Sequence, residues 1–269
     1  MRSPVKIIFC FLLGLSILSC KKENDPAPVV PSGKVVFSID HCVNGEPVRK
    51  NELVYTNAAG NEYLITEIMY FISDITFYRS DGTKTMIGLQ KDIFYVNDDF
   101  PDTKRIQFGD EIPAGNYDSI SFIFGITEEK NISNRFPNPP EAIMAWPVIL
   151  GGGYHYMMMN GKWMDTNGMI NPFNFHLGIG QLYKGNDYNV DSIYAYVQNF
   201  FRVSLPGSDF IMADRDTLTF QLTMNIEEWF EDPHICNHNF RGGAMMQKQP
   251  AMQMAKENGW DVFSIKQQF

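Results

Sequence analysis

Basic residues are in short supply, with 22 Lys and Arg against 31 Asp and Glu and a formal net charge of −9. That balance gives no polybasic surface for nucleic acid or for gripping anionic lipid headgroups, so neither is expected as a partner on charge. Membrane-spanning runs are missing as well. The clearest apolar stretch, Ile7 to Leu18, would make roughly 18 Å of helix, short of the roughly 20 residues a bilayer span needs. The sequence also has no G-x-S-x-G, no P-loop, no G-x-G-x-x-G after a strand and no H-E-x-x-H. Its acidic residues are scattered, so none pairs visibly for acid–base work. No residue nominates itself as a catalyst, and the chain is expected not to be an enzyme.

Cysteine is scarce too, four in 269 residues, and two of the four lie in the first twenty. Arg2 and Lys6 precede the apolar run, the pattern of a signal h-region behind positive charge. The run ends in Leu18-Ser19-Cys20, which resembles a bacterial lipobox. That resemblance implies cleavage before Cys20 and acylation of its thiol, an anchor that holds when more than one chain is attached. Residues 1–19 are therefore expected as a lipoprotein signal peptide. Residues 20–33, "CKKENDPAPVVPSG", are expected as a flexible tether, and 34–269 as the folded domain. The expected location is extracytoplasmic, lipid-anchored to the outer membrane on its periplasmic or cell-surface face.

Cys42 and Cys236 would then be the thiols left in an oxidising compartment, where a leftover pair is expected to form a disulfide. A pair of copper thiolates is the alternative.

Period-two alternation dominates the domain. Along 216–226, Leu218, Phe220, Leu222, Met224 and Ile226 share one face, with Thr217, Thr219, Gln221, Thr223 and Asn225 opposite. The stretches "DSISFIFGI" and "DSIYAYVQNFFRVSL" alternate in the same way, and "YLITEIMYFISDITFYRSDGTK" reads as a long strand running into a turn at Asp81-Gly82. Such spacing predicts an all-β fold, an antiparallel β-sandwich. One short C-terminal helix is expected in "QPAMQMAKENGWDVF", with Pro250 in its first turn and Gly259 just past its end. In "LGGGYHY" the glycines read as a bulge or tight bend.

Histidine is the better chemical lead. In "YHYMMMN", alternation puts His155, Met157 and Met159 on one face, a set of imidazole and thioethers suited to Cu(I). Methionine also fills irregular cores, and packing is the bland reading of the same strand. In "PFNFHLG", His176 falls opposite Phe173, Phe175 and Leu177. His41 shares parity with Val35, Phe37 and Ile39 and so points toward the core, where either a backbone partner or a metal would satisfy it. In "HICNH", His234 and His238 flank Cys236 at a spacing that can chelate.

Several phrases, in order, resemble the MbnP-like family of exported copper-binding proteins of the methanobactin-operon-associated type. They are "VVFSIDHCVNGEPV", "NEYLITEIMYFISDITFYRSDG", "IPAGNYDSISFIFGI", "MAWPVILGGGYHYMMMNGKW", "FNFHLG" and "AMQMAKENGWDVFS". The resemblance implies a secreted β-sandwich that handles copper, bound mainly by imidazoles. It also implies a di-haem peroxidase-like partner that oxidises a tryptophan to kynurenine in some members. Carried over by position, His41 and His176 are the expected ligands and Trp146 the aromatic open to oxidation. Pro147-Val148 stands where the family often has a second Trp. His155, His234 and His238 join the expected set on their chemistry alone. A Cys42–Cys236 bond would bring His41 close to His234 or His238.

The function expected is extracytoplasmic copper binding for storage, delivery or sensing. The alternative is a metal-free ligand-binding or adhesion lipoprotein using the aromatic-rich loops around Trp146 and Trp163.

Overall fold

The first strand, β1 (Ser32–Val43), buries Val35, Phe37, Ile39, His41 and Val43 and turns Lys34, Ser38, Asp40 and Cys42 to its other face. It opens at Ser32, inside the stretch expected to be tether. The computed structural model describes residues 30–268 apart from 89, 90, 110 and 186. Cys10, Cys20, the leader and most of the tether lie outside the described residues. Among those described, no helix is long and apolar enough to cross a membrane.

Ten further strands carry the architecture. They are β2 (Glu62–Arg79), β3 (Ile93–Asn97), β4 (Gly115–Phe124), β5 (Met157–Met164), β6 (Ile170–Leu177), β7 (Gly180–Tyr183), β8 (Ile193–Val197), β9 (Phe201–Leu205), β10 (Thr217–Asn225) and β11 (Phe263–Gln268). Shorter strands of two or three residues extend the edges. One sheet has six strands in the order β11-β10-β1, continued by short strands; the other has nine, built on β6-β5-β2-β4-β9. β7 and β8 form a separate two-stranded ribbon.

Rings from the two larger sheets meet between them. Phe122 of β4 lies edge-on to Phe263 of β11 at 5.1 Å, and Phe210 meets Phe220 of β10 at 5.4 Å. Each such side chain contributes on the order of 2 kcal/mol by leaving water, and together they make the all-β sandwich that the alternation predicts. The pairing is not uniformly antiparallel, however. β1 and β10 run parallel, from Lys34↔Thr217 to Cys42↔Asn225. Alternation reports which face a side chain takes but not the direction of the neighbouring strand.

Two local expectations change. "DSIYAYVQNFFRVSL" is not one strand, because Asn199 is fully buried and bonds the Gly178 carbonyl and Gln249, breaking the ladder between β8 and β9. A one-turn helix α1 (His238–Arg241) precedes the expected helix, α2 (Gln249–Asn258), which has Pro250 in its first turn. Gly259 follows α2 with right-handed dihedrals, φ −70. Its lack of a side chain serves packing instead, since a Cβ there would lie 2.1 Å from the Phe201 ring.

Candidate metal centre

β5 and β6 end the nine-stranded sheet and pair with Met158↔His176 and Asn160↔Asn174. On its other side β5 pairs with β2 through Met158↔Met69 and Asn160↔Glu67. These residues share the face turned away from Phe175, whose ring packs against Trp229 and Phe230 in the core. His176 is nevertheless buried on this outward face. The chain before β5 covers it.

That covering segment is shaped by Gly151, Gly152 and Gly153, with φ of 116, 70 and 77. All three adopt the left-handed region that a side chain disfavours, which makes the run a tight bend. The bend delays the strand until Met157, so alternation does not reach back to His155. His155 consequently leaves the face of Met157 and Met159, both of which sit in the core. Its ring meets that of His176 at 90°, with centroids 5.1 Å apart. Trp146 completes the group, 4.5 Å from His155 in an edge-on contact. The indole is 2 % exposed and donates from Nε1 to the Leu150 carbonyl at 3.1 Å.

Each imidazole uses one nitrogen and leaves one bare. His155 Nδ1 lies 2.9 Å from the Met144 carbonyl, which can only accept, so Nδ1 carries the proton and Nε2 the lone pair. His155 Nε2 is buried with no partner. His176 Nε2 lies 2.8 Å from Asn160 Oδ1, and the Asn160 amide nitrogen in turn donates to Glu67 at 2.6 Å. The carboxylate thus fixes the amide, the amide oxygen fixes the tautomer, and His176 Nδ1 is left as a buried lone pair without a partner. Burial lowers the pKa of His155 to about 4. For His176, burial and then the neighbouring His155 lower it to about 3. Both rings are neutral at physiological pH, the state in which an imidazole binds metal.

These observations pass the test for a bound soft cation. Two neutral nitrogens would otherwise be orphans, each costing about 1–3 kcal/mol, and Met158, a half-buried residue, pairs directly opposite His176. A closed-shell monovalent ion such as Cu(I) accepts so few donors, and imidazole and thioether are ligands it favours. Among the described residues no three His, Cys, Asp or Glu side chains gather as a metal cluster. The wider histidine convergence therefore does not form.

The other expected ligands are separated by their own partners. His41 lies 2.9 Å from Asp98 through Nδ1 and 3.2 Å from the Tyr70 hydroxyl through Nε2, so both ring nitrogens are occupied. The His41 bond, with help from Lys50 and Lys104, holds the Asp98 carboxyl well below the usual carboxylate range. His234 pairs with Glu257 at the surface. His238 is stacked on Phe173 and Trp163, with centroids 4.9 and 5.3 Å away.

Cys42 and Cys236 are both free thiols, not a disulfide. Strand parity is the reason: Cys42 follows inward-facing His41 and turns to the opposite face of β1, whereas Cys236 is 2 % exposed among apolar groups. Trp163 is 7 % exposed, so neither it nor Trp146 offers an open aromatic platform. Met144, Met158, Asn160 and Glu67 escaped the sequence reading. The register Met158↔His176 and Glu67↔Asn160 reveals the last three, and the fold of the covering segment onto His155 reveals Met144.

A family profile described as MbnP matches residues 32–247. The chain belongs to the MbnP family. A solved structure, MbnP from Methylosinus trichosporium, superimposes with a TM-score of 0.56 at 15% identity, covering 89% of this chain and 100% of that one. At that identity the superposition establishes a common fold with MbnP. No curated protein matches the sequence. The MbnP profile spans all the residues of the centre, from Glu67 to His176.

Proposed function

We propose that this protein is an extracytoplasmic copper-binding lipoprotein that holds one Cu(I) between His155 and His176. The observation that carries the proposal is the pair of bare, buried nitrogens on facing rings, His155 Nε2 and His176 Nδ1. Bound copper would supply a soft, redox-active cation. The protein's own residues do the rest. Met144 and Asn160 orient the two rings, Glu67 fixes Asn160, and the bend at 151–153 with Trp146 keeps bulk water away. The proposed role is binding for storage, delivery or sensing, without catalysis.

The contact of the Trp146 ring with the His155 imidazole supports Trp146 as the residue for the oxidation that family resemblance suggests. A di-haem peroxidase-like protein is the proposed partner for that step, and acylated Cys20 the proposed anchor to the outer membrane.

The test is anaerobic Cu(I) titration of the protein against a competing chelator. One tight equivalent should disappear in His155→Ala and in His176→Ala. A double variant that keeps every equivalent of the parent overturns the proposal. Peptide mass mapping of protein made with its genomic neighbours present should find kynurenine at 146 if Trp146 is the modified residue.

A further inference from the structure

Cys236, His238 and Arg241 line a small cavity together with Phe173, Phe175 and Met245. Its interior volume is about 10 Å³, room for one water-sized occupant. His238 is 3 % exposed, clamped between the faces of Phe173 and Trp163, and its Nε2 is buried without a partner. Burial and the neighbouring Arg241 charge keep the ring neutral, so one of its nitrogens carries a lone pair. Cys236 is equally buried, and its sulfur receives an N–H from Arg241 at 3.4 Å. The backbone is fixed on both sides: Cys236 N–H donates to the Phe230 carbonyl, and His238 N–H to Asn61.

An orphaned buried nitrogen calls for an occupant. Water in such a space needs two to four good polar partners. Of the lining side chains, Arg241 already donates to Cys236 and Met254, and beside the Asn174 amide the cavity offers a thiol, which is a weak donor, and a thioether, which is a weak acceptor. The donor set, thiol, neutral imidazole and thioether, matches a soft metal ion instead. We infer that Cys236 and His238 form a second soft-metal site, taking Cu(I) or a similar thiophilic cation, with Met245 as the adjacent thioether. Binding forms an S–Cu bond as the S–H bond breaks, and the proton leaves to solvent; no electron is transferred. Arg241 then donates to the metal-bound thiolate and stabilises its charge from outside the coordination sphere.

This site shares no residue with the His155–His176 centre and stands or falls separately. The decisive probe is the full chain with Cys10, Cys20 and Cys42 each changed to Ser, which leaves Cys236 as its one thiol. Anaerobic Cu(I) addition should raise a thiolate-to-copper charge-transfer absorption that saturates at one equivalent. His238→Gln in that background should weaken this equivalent at least about tenfold. His155→Ala/His176→Ala should leave the absorption unchanged while removing a different equivalent. The inference is overturned if no such band grows, as a water-filled cavity would give, or if His238→Gln leaves the affinity of that equivalent as it was.

Discussion

The imidazoles of His155 and His176 face each other at right angles, 5.1 Å between centroids, each held by a fixed acceptor on one nitrogen and bare on the other. The acceptors make the tautomers compulsory, and the tautomers leave a buried lone pair on each of two rings in contact.

The support behind His176 should be measurable apart from the ligand itself. Asn160→Leu removes the acceptor of the Nε2 proton but touches neither bare nitrogen. Cu(I) affinity should fall about 10- to 100-fold, the usual cost of losing such a partner, with stoichiometry unchanged. Glu67→Gln, which weakens the grip on Asn160, should give a smaller loss in the same competition titration.

Acid should destabilise the apo protein through these histidines. The folded pKa values of His155, about 4, His176, about 3, and His238, about 4, lie below the ordinary value near 6.5. As pH drops, the unfolded chain therefore binds protons first. Their contribution is full above about pH 6.5 and is lost progressively toward pH 4, each worth on the order of 3 kcal/mol. Asp98, held well below its usual range, loses its contribution only at lower pH than this. Urea midpoints should fall between pH 7 and 4.5, and Cu(I) should restore part of the loss by binding the neutral rings. A flat profile across that window would contradict the assignment of neutral buried imidazoles.

His41 should matter to stability and not to copper. His41→Ala strips Asp98 of a buried partner and leaves the Tyr70 hydroxyl unpaired. A loss of about 2–4 kcal/mol in urea unfolding is expected, with the equivalents of bound Cu(I) unchanged.

Gly178 sets the position of Trp146. A Cβ at 178 would come within 2.6 Å of the indole ring, so Gly178→Ala should displace Trp146, change the near-UV dichroism and cost about 1–3 kcal/mol.

Thiol counting checks the unpaired cysteines. Burial and the carboxylates of Asp40, Glu227 and Glu46 push the Cys42 thiol up, and burial does the same for Cys236. Ellman's reagent should titrate Cys42 slowly in the folded protein and Cys236 only after denaturation. Non-reducing peptide mapping should find no Cys42–Cys236 bond.

The sequence by itself determined the faces. The outward turn of Cys42, the inward turn of His41 and the buried row Phe220, Leu222 and Met224 all follow from a period of two, and that period was enough to give a β-sandwich. Phrases in order were enough to give the family. Alternation fails where the strand stops: the bend at 151–153 detached His155 from the face its parity assigned and carried it to His176. What only the tertiary structure decided is which residues meet across strands, because register and the parallel run of β1 beside β10 are set by long-range pairing that no local spacing records. Glu67, Asn160 and His176 lie on three different strands, and their hydrogen-bonded line exists only once those strands are side by side.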